Sequence, residues 1–131
     1  MILELQNNAD RELAEGGFKP AGEVRGLDLG GWVDTGAEQL VLPQAVADAL
    51  GVPVTGEARV RFADGRRDVR PVVDKVWLRA AGRDGVFKAV VEPNRDTALV
   101  GAVVLEALDL LVDPVSKECR PRDADRILAE M

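Results

Sequence analysis

Gly31-Trp32-Val33-Asp34-Thr35-Gly36-Ala37 is the stretch on which the reading of this chain turns. Two large apolar residues lead into an acid, and a small hydroxyl residue, a glycine and an alanine follow. An ionised Asp against an apolar run is costly unless it is paired, hydrogen-bonded or kept neutral. Asp34 is therefore the first candidate for function. Upstream, residues 22–29 alternate, with Val24, Leu27 and Leu29 as the buried set. Gly30-Gly31 then signals a tight bend between two strands, or a close backbone approach. Downstream, Leu40-Val41-Leu42 is short and apolar, and residues 43–50 carry several independent helix signs. Pro43 sits at the first turn, Val46, Ala49 and Leu50 share a face, Gly51 closes the helix and Pro53 follows it.

Farther out, residues 57–62 alternate strictly, with Ala58, Val60 and Phe62 on one side and Arg59 and Arg61 on the other. Asp64-Gly65 is a hairpin signal, and residues 66–73 form the return strand. The charged face of this long hairpin predicts that much of it projects from the core. Residues 74–81 and 83–91 read as two more strands, and residues 93–96 as a loop. Leu99-Val100-Gly101 is a compact apolar run ended by glycine. Residues 102–108 have helical spacing, with Val104, Leu105 and Leu108 on one face, and residues 110–112 read as a last apolar strand. At the other end, Ile2 to Leu5 alternates as a strand, and residues 10–15 fit a single helical turn. Residues 121–131 are a polar tail or short helix with Asp123 as its N-cap. The sum is a mostly-β domain with two short helices, closed or sandwich-like.

Composition narrows the chemistry. With 131 residues, 47% of them hydrophobic and 4% aromatic, the chain fits one domain with an aliphatic core. The net charge of -6 argues against nucleic acid as a partner. Arg59, Arg61, Arg66, Arg67 and Arg70 cluster, but Glu57, Asp64 and Asp68 interleave with them, as on a solvated strand face. The absence of histidine removes Ser-His-Asp and Cys-His catalysis and every His-based metal site. Cys119 is the single cysteine; it lacks an obvious base and reads as structural or incidental. No apolar run approaches the ~20 residues of a membrane span, and Met1-Ile2-Leu3-Glu4 lacks the form of a signal peptide. A cytoplasmic protein without membrane, metal or cofactor is the expectation. Trp32 and Trp77 are read as packing residues.

Three features in order resemble the retropepsin-like (clan AA) aspartic proteases. These carry hydrophobic-hydrophobic-Asp-Thr/Ser-Gly-Ala, then a β-hairpin flap, then hydrophobic-hydrophobic-Gly before a short helix. Here they correspond to Trp32-Val33-Asp34-Thr35-Gly36-Ala37, the hairpin around Ala63-Asp64-Gly65-Arg66, and Leu99-Val100-Gly101. The chain looks most like the small bacterial single-domain members, which add a helix after the Asp loop. The likeness covers a core of about residues 22–121, with 122–131 as a tail.

The resemblance implies a closed acid-protease barrel with one Asp loop and one flap per subunit. It implies peptide hydrolysis by a water activated between two carboxylates that share one proton, as aspartic proteases do. The chain has one Asp-Thr-Gly, since Asp96-Thr97-Ala98 lacks the glycine. A C2 homodimer is therefore implied, with Asp34 from each subunit meeting at the axis and a protein or peptide as substrate. By the same resemblance Thr35 locks the two loops across the axis. Gly36 permits close packing and offers its carbonyl to substrate, and Ala37 keeps the floor small. Ala63, Asp64, Gly65 and Arg66 form the flap tip. Leu99, Val100 and Gly101 pack beneath the Asp loop. Ile2 to Leu5 and the strand near Cys119 interleave in the dimer sheet. Two departures stand out. Glu38 occupies the acid position of a viral ion pair, but Ala102 replaces its Arg. Asp64 puts a charge at the flap tip, which would disfavour acidic substrates if it faced the cleft. Two functions follow: an active dimeric endopeptidase, or a weak or inactive protease-fold module for dimerisation or peptide binding by strand addition.

Overall fold

A computed structural model describes residues 1–122. The tail and the Asp123 N-cap expected beyond them lie outside the described residues. The chain begins with β1 (Ile2–Asn7), in which Leu3 and Leu5 point inward and are fully buried. Then come α1 (Asn8–Glu15), a 3-10 turn (Ala21–Glu23) and β2 (Gly26–Val33). The middle comprises β3 (Leu40–Pro43), α2 (Gln44–Leu50), β4 (Val54–Arg61), β5 (Arg67–Ala80) and β6 (Arg83–Glu92). The last elements are β7 (Ala98–Val100), α3 (Ala102–Ala107), β8 (Leu110–Val112) and β9 (Cys119–Pro121).

Six strands close on themselves in the order β1-β2-β7-β3-β6-β5, with β5 pairing back to β1. Closure removes the exposed edges that an open sheet would leave. The barrel is filled by aliphatic side chains, among them Leu3, Leu5, Leu40, Leu42, Leu50, Val73, Leu78, Val91, Val100 and Val104. The expected mostly-β closed barrel is therefore present, with three α-helices among the described residues rather than two. β4 pairs with β5 alone, so the β4–β5 hairpin projects from the barrel as its charged face predicts.

Several local expectations are corrected. Residues 66–73 and 74–81 are not separate strands. They lie on the single 14-residue strand β5, with a register shift between Val73 and Val76. Lys75 takes a left-handed φ of 64° there, so Val73 and Val76, three residues apart, both face the core. That odd spacing breaks the period of two and mimics a strand boundary. Gly30-Gly31 does not bend the chain either, because β2 runs through it to Val33. Gly31 serves close approach: a Cβ there would stand 3.1 Å from the Leu3 Cδ1. Pro43 ends β3 and flanks α2, which buries Val46, Ala47 and Leu50; Ala49 is exposed. Gly51 ends α2 with φ 66°, as the sequence signs require. Trp77 packs as expected, 5% exposed, with its Nε1 donating to Asp84 Oδ2 at 3.1 Å and Arg11 stacked over its ring. Among the described residues no helix is long and apolar enough to cross a membrane.

The single helical turn expected at 10–15 is the eight-residue helix α1, and its cause is a buried polar cluster. Asn7 caps it by accepting from the Asp10 N–H at 3.0 Å, while its own Nδ2 donates to the Leu50 carbonyl at 2.9 Å. One side chain thus ties the start of α1 to the end of α2. Asp10, 2% exposed, accepts from Lys19 Nζ at 2.8 Å and from Arg25 through its backbone N–H, Nε and guanidinium. The hydrogen bonds from Arg25, and then that from Lys19, hold the Asp10 carboxyl well below the usual range, outweighing its burial. A depressed folded pKa stabilises the native state above the unfolded value of about 3.9, and the benefit is lost as pH falls through the folded value. Asp10→Asn is expected to lower the unfolding free energy at pH 7 by about 2 kcal/mol. It should also remove part of the acid-side decline in stability. Urea titrations of both proteins between about pH 3 and 7 measure this; parallel stability curves would contradict it.

Candidate active site

Asp34 follows the last residue of β2, and its loop is held by backbone from two sides. β2 runs parallel to β7, with Gly31, Trp32 and Val33 opposite Ala98, Leu99 and Val100. The pairing continues one step further, where the Asp34 N–H donates to the Val100 carbonyl at 3.0 Å. Inside the loop the Ala37 N–H donates to the Asp34 carbonyl at 3.1 Å. The Gly36 N–H donates to the Asp34 side-chain Oδ1 at 2.9 Å. This Asx-type bond fixes the carboxylate.

The second support is α3. Its first N–H groups have no partner within the helix. Here the Ala102 N–H donates to the Ala37 carbonyl at 2.8 Å and the Val103 N–H to the Glu38 carbonyl at 2.9 Å. The loop and the helix satisfy each other. Gly101, between β7 and α3, makes the approach possible: a Cβ there would fall 2.4 Å from the Gln39 carbonyl oxygen and 2.8 Å from that of Ala37. The structure thus brings Leu99, Val100 and Gly101 together with the Asp34–Ala37 loop. Leu99 is half-buried and Val100 fully buried.

The side chains of the loop face outward. Asp34, Thr35 and Gly36 are exposed and Ala37 is half-buried. Apart from the Gly36 N–H, the Asp34 carboxylate has no hydrogen-bond or ion-pair partner among the described residues, and the Thr35 hydroxyl has none among them either. The desolvation anticipated from the apolar run is not incurred in the isolated chain, because strand alternation turns Val33 inward and leaves the acid at the surface. Glu38 is also exposed and without an ion pair among the described residues.

Ala63, Asp64, Gly65 and Arg66 form the exposed tip of the β4–β5 hairpin. The turn is closed by the Phe62 N–H to the Arg66 carbonyl at 2.8 Å and the Gly65 N–H to the Phe62 carbonyl at 2.9 Å. Gly65 has a φ of 87°, which favours glycine. The Asp64 carboxylate is not a free charge at the tip. It accepts from the Arg66 N–H at 3.0 Å and from the Arg66 Nε at 2.6 Å.

Trp32 is not a packing residue within the chain; it is 67% exposed, two positions from Asp34. With Gly31 and Val33 turned inward by alternation, Trp32 must point out, a signal the sequence carried. It lines a groove of about 540 Å³ together with Met1, Val33, Lys117 and Cys119. Within the segment Ile2 to Leu5, Glu4 and Leu5 are paired with β2 on one edge and β5 on the other, whereas Ile2 and Leu3 pair with β2 alone among the described residues. β9 pairs with β8, which leaves one edge of each strand open among the described residues. Cys119 is half-buried and its desolvation pushes the thiol pKa up, which suits a structural role.

A closed six-stranded barrel, a single Asp-Thr-Gly loop braced by an apolar strand and glycine, and a projecting hairpin define a retropepsin-like fold. Residues 21–105 match the family model described as aspartyl protease, and the chain belongs to that family. The match contains Asp34, the hairpin and Gly101, and leaves out β1, α1, β8 and β9. Among solved structures, the chain is similar to a foamy viral protease-reverse transcriptase determined in complex with an RNA/DNA hybrid. The TM-score is 0.51 at 22% identity, over 68% of this chain and 12% of that one. That likeness speaks for the fold, and the chain spans a small part of the viral protein's length. No curated protein matches.

Proposed function

We propose that the protein is an aspartic endopeptidase whose working unit is a C2 homodimer with Asp34 of both copies at its centre. One observation carries this reading. The loop is rigidly held through its backbone, while the Asp34 carboxylate and Thr35 hydroxyl face solvent with bonding capacity unused. A second copy of the loop supplies the missing half: a carboxylate for each Asp34 and a hydrogen-bond partner for each Thr35. Two carboxylates a few Å apart cannot both ionise comfortably, so they share a proton. The ionised one takes a proton from water as its oxygen attacks the peptide carbonyl. The protonated one gives its proton to the carbonyl oxygen. Collapse of the tetrahedral intermediate breaks the C–N bond, and a proton passes to the leaving amine. The hairpin tip at Ala63–Arg66 acts as the flap that covers the cleft. Trp32 and the β8–β9 hairpin form the contact beside the axis, where exposed aromatic surface is covered on pairing.

The reading is tested by digestion of an unfolded protein and by crosslinking. Cleavage that a statine-type transition-state mimic inhibits is expected. Asp34→Cys in a Cys119→Ser background should oxidise to a disulfide-linked dimer, because facing residues satisfy the ~5.5 Å Cα separation a disulfide needs. No cleavage between roughly pH 3 and 7, with no crosslink at high concentration, would overturn it. The second reading, a module that binds peptide strands without cutting, draws on Glu38 having no ion-pair partner among the described residues. It predicts the crosslinked dimer without cleavage.

A further inference from the structure

We propose that the flap carries a built-in selector for acidic peptides, formed by Arg59, Arg61 and Arg67 on one face of the β4–β5 hairpin. The inference rests on the reading of that hairpin as the flap of a peptide-cleaving site. In the strand register Arg59 lies opposite Val69 and Arg61 opposite Arg67. Residues directly opposite each other share a face, as do residues two apart along a strand. The three arginines therefore stand on one face with Val69, Pro71 and Val73. Val73 is 2% exposed in the barrel core, so this face continues the barrel interior outward along the flap.

The hairpin's other arginines are already engaged. Arg66 is bonded to Asp64, and Arg70 to Asp68 at 2.6 Å and Glu92 at 2.5 Å. Both stack near the Phe62 ring, at 5.0 Å and 5.4 Å. That accounts for two of the three interleaved acids. Glu57, opposite Pro71 at the root of the selector face, is the third, and it forms no ion pair among the described residues. The side chains of Arg59, Arg61 and Arg67 likewise make no hydrogen bond, ion pair or ring contact among the described residues. The solvated mixed-charge face expected from the sequence is thus divided, with a neutralised side and a cationic side. Like charges directly opposite in a sheet destabilise it. The Arg61–Arg67 pair is such a case, in a protein whose net charge is -6. An anion held between them relieves the repulsion.

The occupant is a peptide rather than a diffuse polyanion, for a geometric reason. Arg59 and Arg61 are two residues apart on a strand, about 7 Å, the spacing of alternate side chains in an extended peptide. Val69, 47% exposed among them, offers an apolar contact between the charges. The space over this face is about 560 Å³. A substrate with Asp or Glu at positions i and i+2 meets Arg59 and Arg61 of β4, with Arg67 of β5 beside the second of them.

The experiment uses the Asp34→Asn protein, which holds substrate uncut, with fluorescent extended peptides of equal length. One series carries Glu at i and i+2, one Glu at i and i+1, one Gln and one Lys. Tightest binding of the alternating Glu series is expected, roughly tenfold over Gln at low salt and falling as salt rises. Arg59→Gln/Arg61→Gln/Arg67→Gln should abolish the preference, and Lys at the same three positions should restore part of it. Arg79→Gln, which removes a Glu4-paired arginine beyond the β4–β5 pairing of the hairpin, should leave it intact. Equal binding of the Glu and Gln series, or an unchanged preference in the triple Gln variant, overturns the selector. Tighter binding of a single-stranded oligonucleotide of equal charge also overturns it, in favour of nucleic acid. Cleavage by the parent protein is read separately. Cutting without acidic preference leaves the peptidase reading standing and removes the selector, whereas selective binding without cutting does the reverse.

Discussion

Asp34→Asn should reduce cleavage of an unfolded protein by at least ~10³-fold while leaving the fold intact, since each acid–base role contributes typically ~10²–10⁴. In the proposed homodimer the substitution removes both carboxylates at once, because each copy contributes one Asp34. The loop itself loses little. Asn keeps an oxygen able to accept the Gly36 N–H, and the bonds to Val100, Ala102 and Val103 are backbone bonds. At an exposed position the stability change should stay within about 0.5 kcal/mol. Parallel urea curves beside a lost rate therefore isolate chemistry from folding. A mixing experiment sharpens the result. Subunits exchanged at equal amounts with the parent should retain about a quarter of the activity of the same total of parent protein, against about half if each chain acts alone. A parent-like rate in Asp34→Asn would remove the dyad.

Gly101→Ala is the substitution expected to damage the structure most. The backbone at Gly101 is extended, with φ -91° and ψ -178°, so the conformation suits any residue. The space does not. A methyl group would stand 2.4 Å from the Gln39 oxygen, 2.8 Å from the Ala37 oxygen and 2.8 Å from the Glu38 carbonyl carbon. These are backbone atoms, and the Ala37 and Glu38 carbonyls are bonded to the start of α3. To make room, the loop must leave the helix, stranding two N–H groups and shifting Asp34. We expect a loss of about 3 kcal/mol, at the upper end of overpacking. Peptidase activity should fall together with stability. Gly65→Ala is the contrast: nothing lies within 4 Å of its Cβ position, and only its φ of 87° resists, at about 1 kcal/mol. Equal urea midpoints for Gly101→Ala and the parent would show that the loop yields.

The order of elements was legible because it depends on local chemistry. Alternation marked Leu3 and Leu5, the Gly51 stop marked the end of α2, and Asp64-Gly65 marked the hairpin turn. The Asp34 loop and the run Leu99-Val100-Gly101 were legible as motifs, and the barrel brings the two together. The bulge in β5 was not legible, because one inserted residue at Lys75 flips the parity on which strand reading depends. Nor was the Asp10 cluster, whose partners Arg25, Lys19 and, through Asn7, Leu50 lie far along the chain.

What the sequence determined alone was the type of chemistry on offer. A chain without histidine, with one cysteine and one Asp-Thr-Gly, has few routes to catalysis, and residue types carry that information directly. Tertiary structure decided which groups remain free to use it. Pairing on both edges takes Glu4 and Leu5 of β1 out of any shared sheet and leaves one edge of Ile2 and Leu3 open among the described residues. Alternation along β2 turns Trp32 outward beside Asp34. Register along β4 and β5 places Arg61 against Arg67, while Asp64 and Asp68 are spent on Arg66 and Arg70. A sequence lists charges and side chains, but whether a group is satisfied depends on what the fold sets within about 3 Å of it.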